Sequence, residues 1–299
     1  MKDKIVVITG ANSGIGKETA IALARRGATI VMVCRSKDRG EKARAQIIKA
    51  SNNENVTLEI CDLGLMESIR ACGQRMHETY PKIDVLINNA GAIFGEYRMS
   101  KEGLEHTFAL NHMGYFLFTH YMLDAIKRGS ERRIINVASL AHKFVTNIPW
   151  EDMQLEHHKY HQMQTYGLTK LYNIYFTKYL AEKLDGEHAD ITVNCLHPGT
   201  VYTHFGDSGS FLFNKLIKIA KPLLASPEKG AETSIYLATS PKVENITGAY
   251  FTKQKEAPVT KLAQNKDNAE RLWQISMGIA GLATYGVVTH TEATGTPLP

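Results

Sequence analysis

Tyr166 and Lys170 stand four residues apart, 27 residues after Ser139. On a helix, positions i and i+4 share a face, so this spacing sets an ammonium beside a phenol. A cation there favours the phenolate and makes the tyrosine a proton donor and acceptor near neutral pH. The spacing alone is not selective, because Tyr97/Lys101 and Tyr179/Lys183 repeat it. Only Tyr166/Lys170 follows an apolar run that ends in a serine, Val137-Ala138-Ser139. Tyr179 lies 13 residues further along the same expected helix. That offset rotates it by about 220°, onto another face.

A second chemical feature opens the chain. Thr9-Gly10-Ala11-Asn12-Ser13-Gly14-Ile15-Gly16 joins an apolar strand to an amphipathic helix. Glycines let the backbone turn tightly and let a pyrophosphate approach the helix N-terminus, where free N–H groups favour anions. The second strand then ends Val33-Cys34-Arg35-Ser36. A site selecting a ribose 2′-hydroxyl places a carboxylate near this point. Here the acid is absent, and the Arg35 fork suits a 2′-phosphate instead. Lys17 and Lys37 add positive charge nearby. These residues predict NADP(H). Asp62, after the third strand, can bond an adenine amino group or cap the next helix.

Positioning these groups requires a scaffold, and the chain has room for one. Its 299 residues are 43% hydrophobic and 22% charged, the composition of a folded globular protein. A net charge of +5 with interspersed acids does not point to a nucleic-acid partner. The four cysteines show no metal- or redox-type Cys-x-x-Cys spacing and suit a reducing compartment. No targeting segment is read before the first strand, and no run reaches the roughly 18 apolar residues of a membrane span. The expected location is cytoplasmic, with peripheral membrane contact as a second option.

Short apolar runs alternate with longer amphipathic ones. Strands are predicted at 5–9, 29–34, 56–61, 85–88, 133–138, 191–196 and 249–252. Helices are predicted at 14–26, 37–50, 65–79, 104–127, 164–184 and 228–239. This order predicts an α/β fold: a doubly wound, mostly parallel sheet with helices on both faces, in a single domain. Residues 1–276 form that domain, with substrate-side insertions at about 140–165 and 203–226. Residues 277–299 read as a C-terminal tail, partly mobile.

Taken in order, Gly10/Gly14/Gly16, Asn88-Asn89-Ala90-Gly91, Asn111, Ser139, Tyr166/Lys170 and Pro198-Gly199 resemble the short-chain dehydrogenase/reductase family. Val33-Cys34-Arg35, Asn111-His112, Ser139-Leu140-Ala141-His142, His197-Pro198-Gly199-Thr200-Val201, the Pro227-x-x-Gly230-Ala231 start and Arg271-Leu272-Trp273 resemble its retinol dehydrogenase branch. The resemblance covers roughly residues 4–276. Many members of that branch carry an N-terminal membrane anchor, and none is expected here from the residues before the first strand.

The resemblance implies roles for the residues that match. Ser139 would hydrogen-bond the substrate oxygen, and Tyr166 would exchange the proton. Lys170 would bind the nicotinamide ribose and lower the tyrosine pKa, and Asn111 would hold a water linking Lys170 to solvent. The cofactor would lie along Gly10, Asn12, Ser13, Gly14, Ile15 and Gly16, then Arg35, Ser36, Asp62 and Leu63. Asn88, Ala90 and Gly91 would follow beside the adenosine ribose. Val201 and Thr203, after Pro198-Gly199, would hold the nicotinamide carboxamide. The implied activity is hydride transfer to or from the carbonyl or hydroxyl carbon of a small apolar substrate, retinoid-like or lipid-derived, without metal. Reduction of a steroid or pigment-precursor carbonyl, or a non-catalytic NADP-sensing scaffold, are the rivals. A homodimer is compatible with the sequence.

Two further signals stand outside this set. His157, His158 and His161 lack the His-Glu-x-x-His arrangement of a zinc protease and read as a solvated or substrate-loop helix. Phe211–Leu224 reads as a basic amphipathic helix, with Lys215, Lys218 and Lys221 opposite Phe211, Leu212, Leu216, Ile219 and Leu223. Such a helix can cover an apolar substrate or rest on a membrane surface.

Overall fold

The computed structural model describes residues 1–186, 190–199 and 225–288. Its sheet is built from runs of β-branched residues that are apolar on both sides. β1 (Ile5–Thr9), β2 (Thr29–Cys34), β4 (Val85–Asn88), β5 (Arg133–Val137) and β6 (Thr192–His197) are almost wholly buried. β3 (Val56–Ile60) is the half-exposed strand at one edge, and β7 (Tyr250–Thr252) and the two-residue β8 (Lys255–Glu256) close the other. The order is β3-β2-β1-β4-β5-β6-β7-β8, and every pairing is parallel except β7 with β8. Strand order reverses between β1 and β4, where a doubly wound sheet opens its crevice.

Successive side chains point to opposite faces, so the sheet divides one apolar core into two layers. Val7, Val31, Leu86, Ile134 and Val193 pack against α3 (Met66–Thr79), α5 (Gly114–Lys127) and α6 (Gln162–Leu184). Val6, Ile8, Val85, Ile87, Ile135 and Leu196 pack against α1 (Gly14–Ala24), α2 (Lys37–Ser51) and α7 (Pro227–Thr239). Each such side chain contributes about 1.5–3 kcal/mol on burial. Strand pairing is thereby pinned in register, because a one-residue slip would exchange the layers.

Three features differ from the sequence expectation. The helix expected over 104–127 begins instead with α4 (His106–Phe108), capped by the Glu105 carboxylate, and runs through a π turn at Ala109–Met113 before α5. The β7–β8 hairpin carries no turn signal in the sequence, because its turn is made by Lys253 and Gln254, both at positive φ, rather than by glycine or asparagine.

The third difference is at the C-terminus. The expected domain boundary after Ser276 falls inside α8 (Lys266–Ala280), which Asn265 caps and which ends at Gly281 with φ +64°. The chain beyond it is anchored through Gly286. Trp273 packs on Phe116, Phe176 and Tyr285 at ring separations of 5.1, 6.2 and 4.6 Å. The Tyr285 hydroxyl donates to the Phe116 carbonyl at 2.7 Å, and the Gly286 amide donates to His120 Nδ1 at 2.9 Å. Tail residues pack here because α5 and α6 offer an aromatic surface that would otherwise face water. Among the described residues no helix is long and apolar enough to cross a membrane. The amphipathic segment expected at 211–224, with most of the second insertion, lies outside the described residues.

Candidate active site

A cleft of about 620 Å³ runs over the carboxyl ends of β1, β2, β4, β5 and β6. Its floor at the chain start is a glycine cradle. Gly10 turns at φ +67°, and a Cβ there would lie 2.9 Å from Ala90 Cα. A Cβ on Gly16 would lie 2.5 Å from both Asn89 Nδ2 and the Gly10 carbonyl. Thr9 Oγ1 accepts from the amides of Asn89 and Ala90 at 2.8 and 2.9 Å, which welds the ends of β1 and β4. Ser13 begins α1 without a side-chain cap, and the first turn carries no acid. Its N–H groups and positive dipole end therefore remain available to a phosphate.

Arg35 and Arg39 both line the cleft beyond this turn, with Cys34, Asp62 and Leu63. Arg35 is exposed and only 4.0 Å from Asp62, a weak surface pair that leaves the guanidinium free to turn toward a ligand. Ser36 does not line the cleft; it caps α2 by accepting from the Arg39 amide.

At the other end, four side chains from three elements converge. Ser139 follows β5, Tyr166 and Lys170 lie on α6, and Asn111 lies in the π turn. The Ser139 hydroxyl accepts from the Ala141 amide at 3.1 Å and lies beside the Tyr166 phenol in the same cleft. Lys170, 1% exposed, donates from Nζ to the Val137 carbonyl at 2.9 Å and lies 5.5 Å from the centre of the Tyr166 ring. Asn111 grips Ala92 twice, accepting from its amide and donating to its carbonyl, each at 2.9 Å. It also donates to Thr169 Oγ1 at 3.1 Å. A Cβ on Gly91 would stand 3.1 Å from Asn111 Oδ1 and 3.4 Å from Lys170 Nζ, so glycine keeps that junction open.

The electrostatics depart from the expectation that Lys170 lowers the Tyr166 pKa. Burial pushes the Tyr166 phenol up, opposed only by the neighbouring Ser139 hydroxyl. Burial also lowers Lys170 to about 7. Desolvation of both groups outweighs their mutual attraction, because the amine is itself only partly protonated near neutral pH.

Gly10, Asn12, Ser13, Gly14, Ile15, Gly16, Arg35, Asp62, Leu63, Ala90, Gly91, Ser139, Tyr166, Lys170, Pro198 and Gly199 all line this one cleft. Asn88 does not. It is fully buried and donates to Thr119 Oγ1 and Asn136 Oδ1, bracing the ends of β4 and β5 from below. Asn111 stands behind the wall rather than in it. Val201 and Thr203 lie outside the described residues. The alternative pairs are elsewhere: Tyr179 packs on Trp273, and the Tyr97 hydroxyl donates to Met99 Sδ. His158 pairs with Asp152.

The expected set omitted Asn89, Arg39, Phe94, Leu110, Leu140, Phe144, Met163 and His197, all of which line the cleft. Met163 precedes Tyr166 by three residues on one helix face, so spacing alone could have found it. Phe94 comes from irregular chain after β4, where periodicity carries no signal. It is held by stacking on His106 at 4.6 Å and by the Tyr160 hydroxyl, which donates to its carbonyl.

A dinucleotide fold with a Ser-Tyr-Lys centre defines a class of hydride-transfer enzymes. Residues 4–151 match the model of the short chain dehydrogenase family. Mouse "Retinol dehydrogenase 12" is 38% identical over 279 residues, which is 93% of this chain and 87% of the relative. Human "Retinol dehydrogenase 13" is 38% identical over 289 residues, 95% of this chain and 86% of the relative. An uncharacterized protein from Mycobacterium Paratuberculosis superposes with a TM-score of 0.74 at 28% identity, covering 94% of each chain. A 3-ketoacyl-(acyl-carrier-protein) reductase from Brucella melitensis, solved with NADH, gives 0.64 at 25% identity over 84% of this chain and 96% of its own. The chain belongs to the short-chain dehydrogenase family, in the retinol dehydrogenase branch. It is an oxidoreductase of a family that uses nicotinamide cofactors.

Proposed function

We propose that the protein is an NADP(H)-dependent carbonyl reductase or alcohol dehydrogenase acting on an apolar aldehyde or alcohol. The observation that carries the reading is the meeting of Ser139, Tyr166 and the buried Lys170 at one end of a cleft whose other end is a glycine cradle. The residues fit a dinucleotide. The uncapped start of α1 receives the pyrophosphate, Arg35 and Arg39 the 2′-phosphate, and Pro198 and Gly199 flank the nicotinamide end. Val201 and Thr203 complete that end in the same proposal. The cofactor supplies or accepts the hydride.

The chain's own work is orientation and proton transfer. Ser139 donates to the substrate oxygen and fixes its place. Tyr166 delivers its phenolic proton to that oxygen, or removes one in the reverse direction. Lys170, when protonated, stabilises the phenolate left behind. Asn111 holds Ala92 and Thr169, and with them the wall between Gly91 and α6.

Phe94, Leu110, Leu140, Phe144 and Met163 give the open side an apolar lining, with Phe144 71% exposed. Exposed apolar groups at a cleft mouth suit an apolar ligand. The segment 211–224 is proposed as a cover for the same substrate or as a membrane-surface contact. The test is NADPH and NADH oxidation by the purified protein across retinoid, long-chain, steroid and small aromatic carbonyls. Turnover confined to small polar carbonyls, or no turnover by any, would defeat the reading.

A further inference from the structure

We propose that His142 and His197 are positioning residues, which together clamp the single peptide group between Ser139 and Leu140 and so aim the Ser139 hydroxyl. The proposal rests on the reading that Ser139 holds the substrate oxygen.

Ser139 is the hinge between β5 and the 3-10 turn Leu140–Phe144. Its backbone is extended, at φ −160° and ψ 157°. With β5 fixed by the sheet, the orientation of the following peptide plane decides ψ and how Cβ and Oγ are presented. Both polar ends of that plane are held by imidazoles. The Ser139 carbonyl accepts from His142 Nδ1 at 2.6 Å. The Leu140 amide donates to His197 Nδ1 at 3.3 Å. The two rings come from different elements, His142 from the turn itself and His197 from the end of β6.

The two bonds demand opposite tautomers. His142 must carry its proton on Nδ1, because a carbonyl can only accept. His197 must leave Nδ1 bare, because an amide can only donate. Protonation of His197 would set N–H against N–H and break the clamp. Burial prevents this: His197 is lowered to about 4, with further contributions from His142 and Lys143. His142 is also lowered by burial and by Lys143, against the pull of the Ser139 carbonyl. Its ring lies edge-on to Tyr250 of β7 at 5.3 Å, which holds it in place. His197 also lines the cleft and directly precedes Pro198-Gly199. The peptide that presents Ser139 is thus tied to the segment expected at the nicotinamide end.

A merely structural account is that two buried rings satisfy one amide plane at a strand end. Substitutions at the two positions separate this from positioning. Asparagine branches at Cγ as histidine does, so its Nδ2 can replace the Nδ1–H of His142 and its Oδ1 the bare Nδ1 of His197. Leucine fills similar space and does neither. Misplacing a reacting group by about 1 Å can cost on the order of 100-fold in rate. We therefore expect His142→Leu and His197→Leu each to lower kcat by about 10–100-fold, with NADPH Kd changed less than about twofold. His142→Asn and His197→Asn should recover most of that loss. In a Ser139→Ala background, adding either leucine should cost nothing further on the residual rate, since nothing remains to aim.

Wild-type kcat in both leucine variants would overturn the proposal. So would equal losses for leucine and asparagine, or a leucine effect that persists undiminished in Ser139→Ala. If Ser139→Ala itself kept full activity, the reading of the site would fail instead, and the two failures are distinguishable.

Discussion

Lys170 Nζ donates to the carbonyl of Val137, two residues before Ser139, so the lysine is tied to the strand that presents the serine and not to the tyrosine beside it. The amine is 1% exposed and lowered to about 7 by burial. Its charge state therefore changes in the physiological range rather than far above it.

This has a signature in stability. Below about pH 7 the lysine is protonated in both folded and unfolded chains, and the cost of burying the charge is constant. Above it the folded chain releases the proton, while the unfolded chain keeps it up to the ordinary lysine value of 10.5. The unfolded state then binds more protons, so the lysine's contribution to stability improves as pH rises. Between pH 7 and 8.5 the gain should be on the order of 1–2 kcal/mol relative to a Lys170→Met variant. Denaturant unfolding of both proteins at several pH values measures it. Parallel curves would show that the amine is not lowered.

Tyr166→Phe removes the exchangeable proton and almost no volume. Turnover should fall by about 100–10,000-fold, while NADPH affinity measured by calorimetry stays within about twofold. Retained turnover would place the proton elsewhere; Tyr97→Phe and Tyr179→Phe are the controls and should be near wild type.

Cofactor choice should follow Arg35. The wild-type protein should prefer NADPH over NADH in kcat/KM. Arg35→Ala should weaken NADPH binding by about 10–100-fold, the size of a lost charge-assisted contact, and NADH binding far less. An NADH preference in the wild type would refute the assignment. A small effect of Arg35→Ala restored to full size by adding Arg39→Ala would show that the two arginines share the phosphate.

Much of this site was legible in the sequence because it depends on short-range rules. A glycine turn between strand and helix, a missing acid after β2 and a Tyr-x3-Lys helix face are all local patterns. What escaped is non-local. Ser36 has the right position for a ribose phosphate but is drawn into capping α2, and Asn88 is drawn down to Thr119 and Asn136. The lysine's lowered pKa depends on its burial, with Tyr115 of α5 packed against it, which no spacing announces. The helix Lys266–Ala280 was readable, with Asn265 as cap and apolar residues at 269, 272, 273 and 280 on one face, yet its partners Phe116 and Phe176 lie about a hundred residues or more away.

Phe144→Ser combined with Met163→Ser tests the apolar mouth. KM for a long-chain or polyene aldehyde should rise about 10-fold or more, from the loss of roughly 1.5–3 kcal/mol per apolar side chain. KM for a small aldehyde and the melting temperature should change little, since Phe144 is exposed. Equal losses for both aldehydes would assign these residues to structure.

Trp273→Ala should cost about 3–5 kcal/mol of stability, because the ring is packed among Phe116, Phe176, Tyr179 and Tyr285. Thermal melting with and without NADPH measures it, and a loss below about 1 kcal/mol would mean α8 is loosely docked.

The packing of Trp273 and Tyr285 on Phe116 also orders events during synthesis. A ribosome releases strands β1–β6, α5 and α6 well before the chain that covers them. Until α8 and Tyr285 emerge, the nascent protein shows water a band of aromatic rings on α5 and α6, the kind of surface that chaperones bind and that drives aggregation. The cleft's frame is largely translated before its back is sealed, so the interval between the two is when this chain most needs protection.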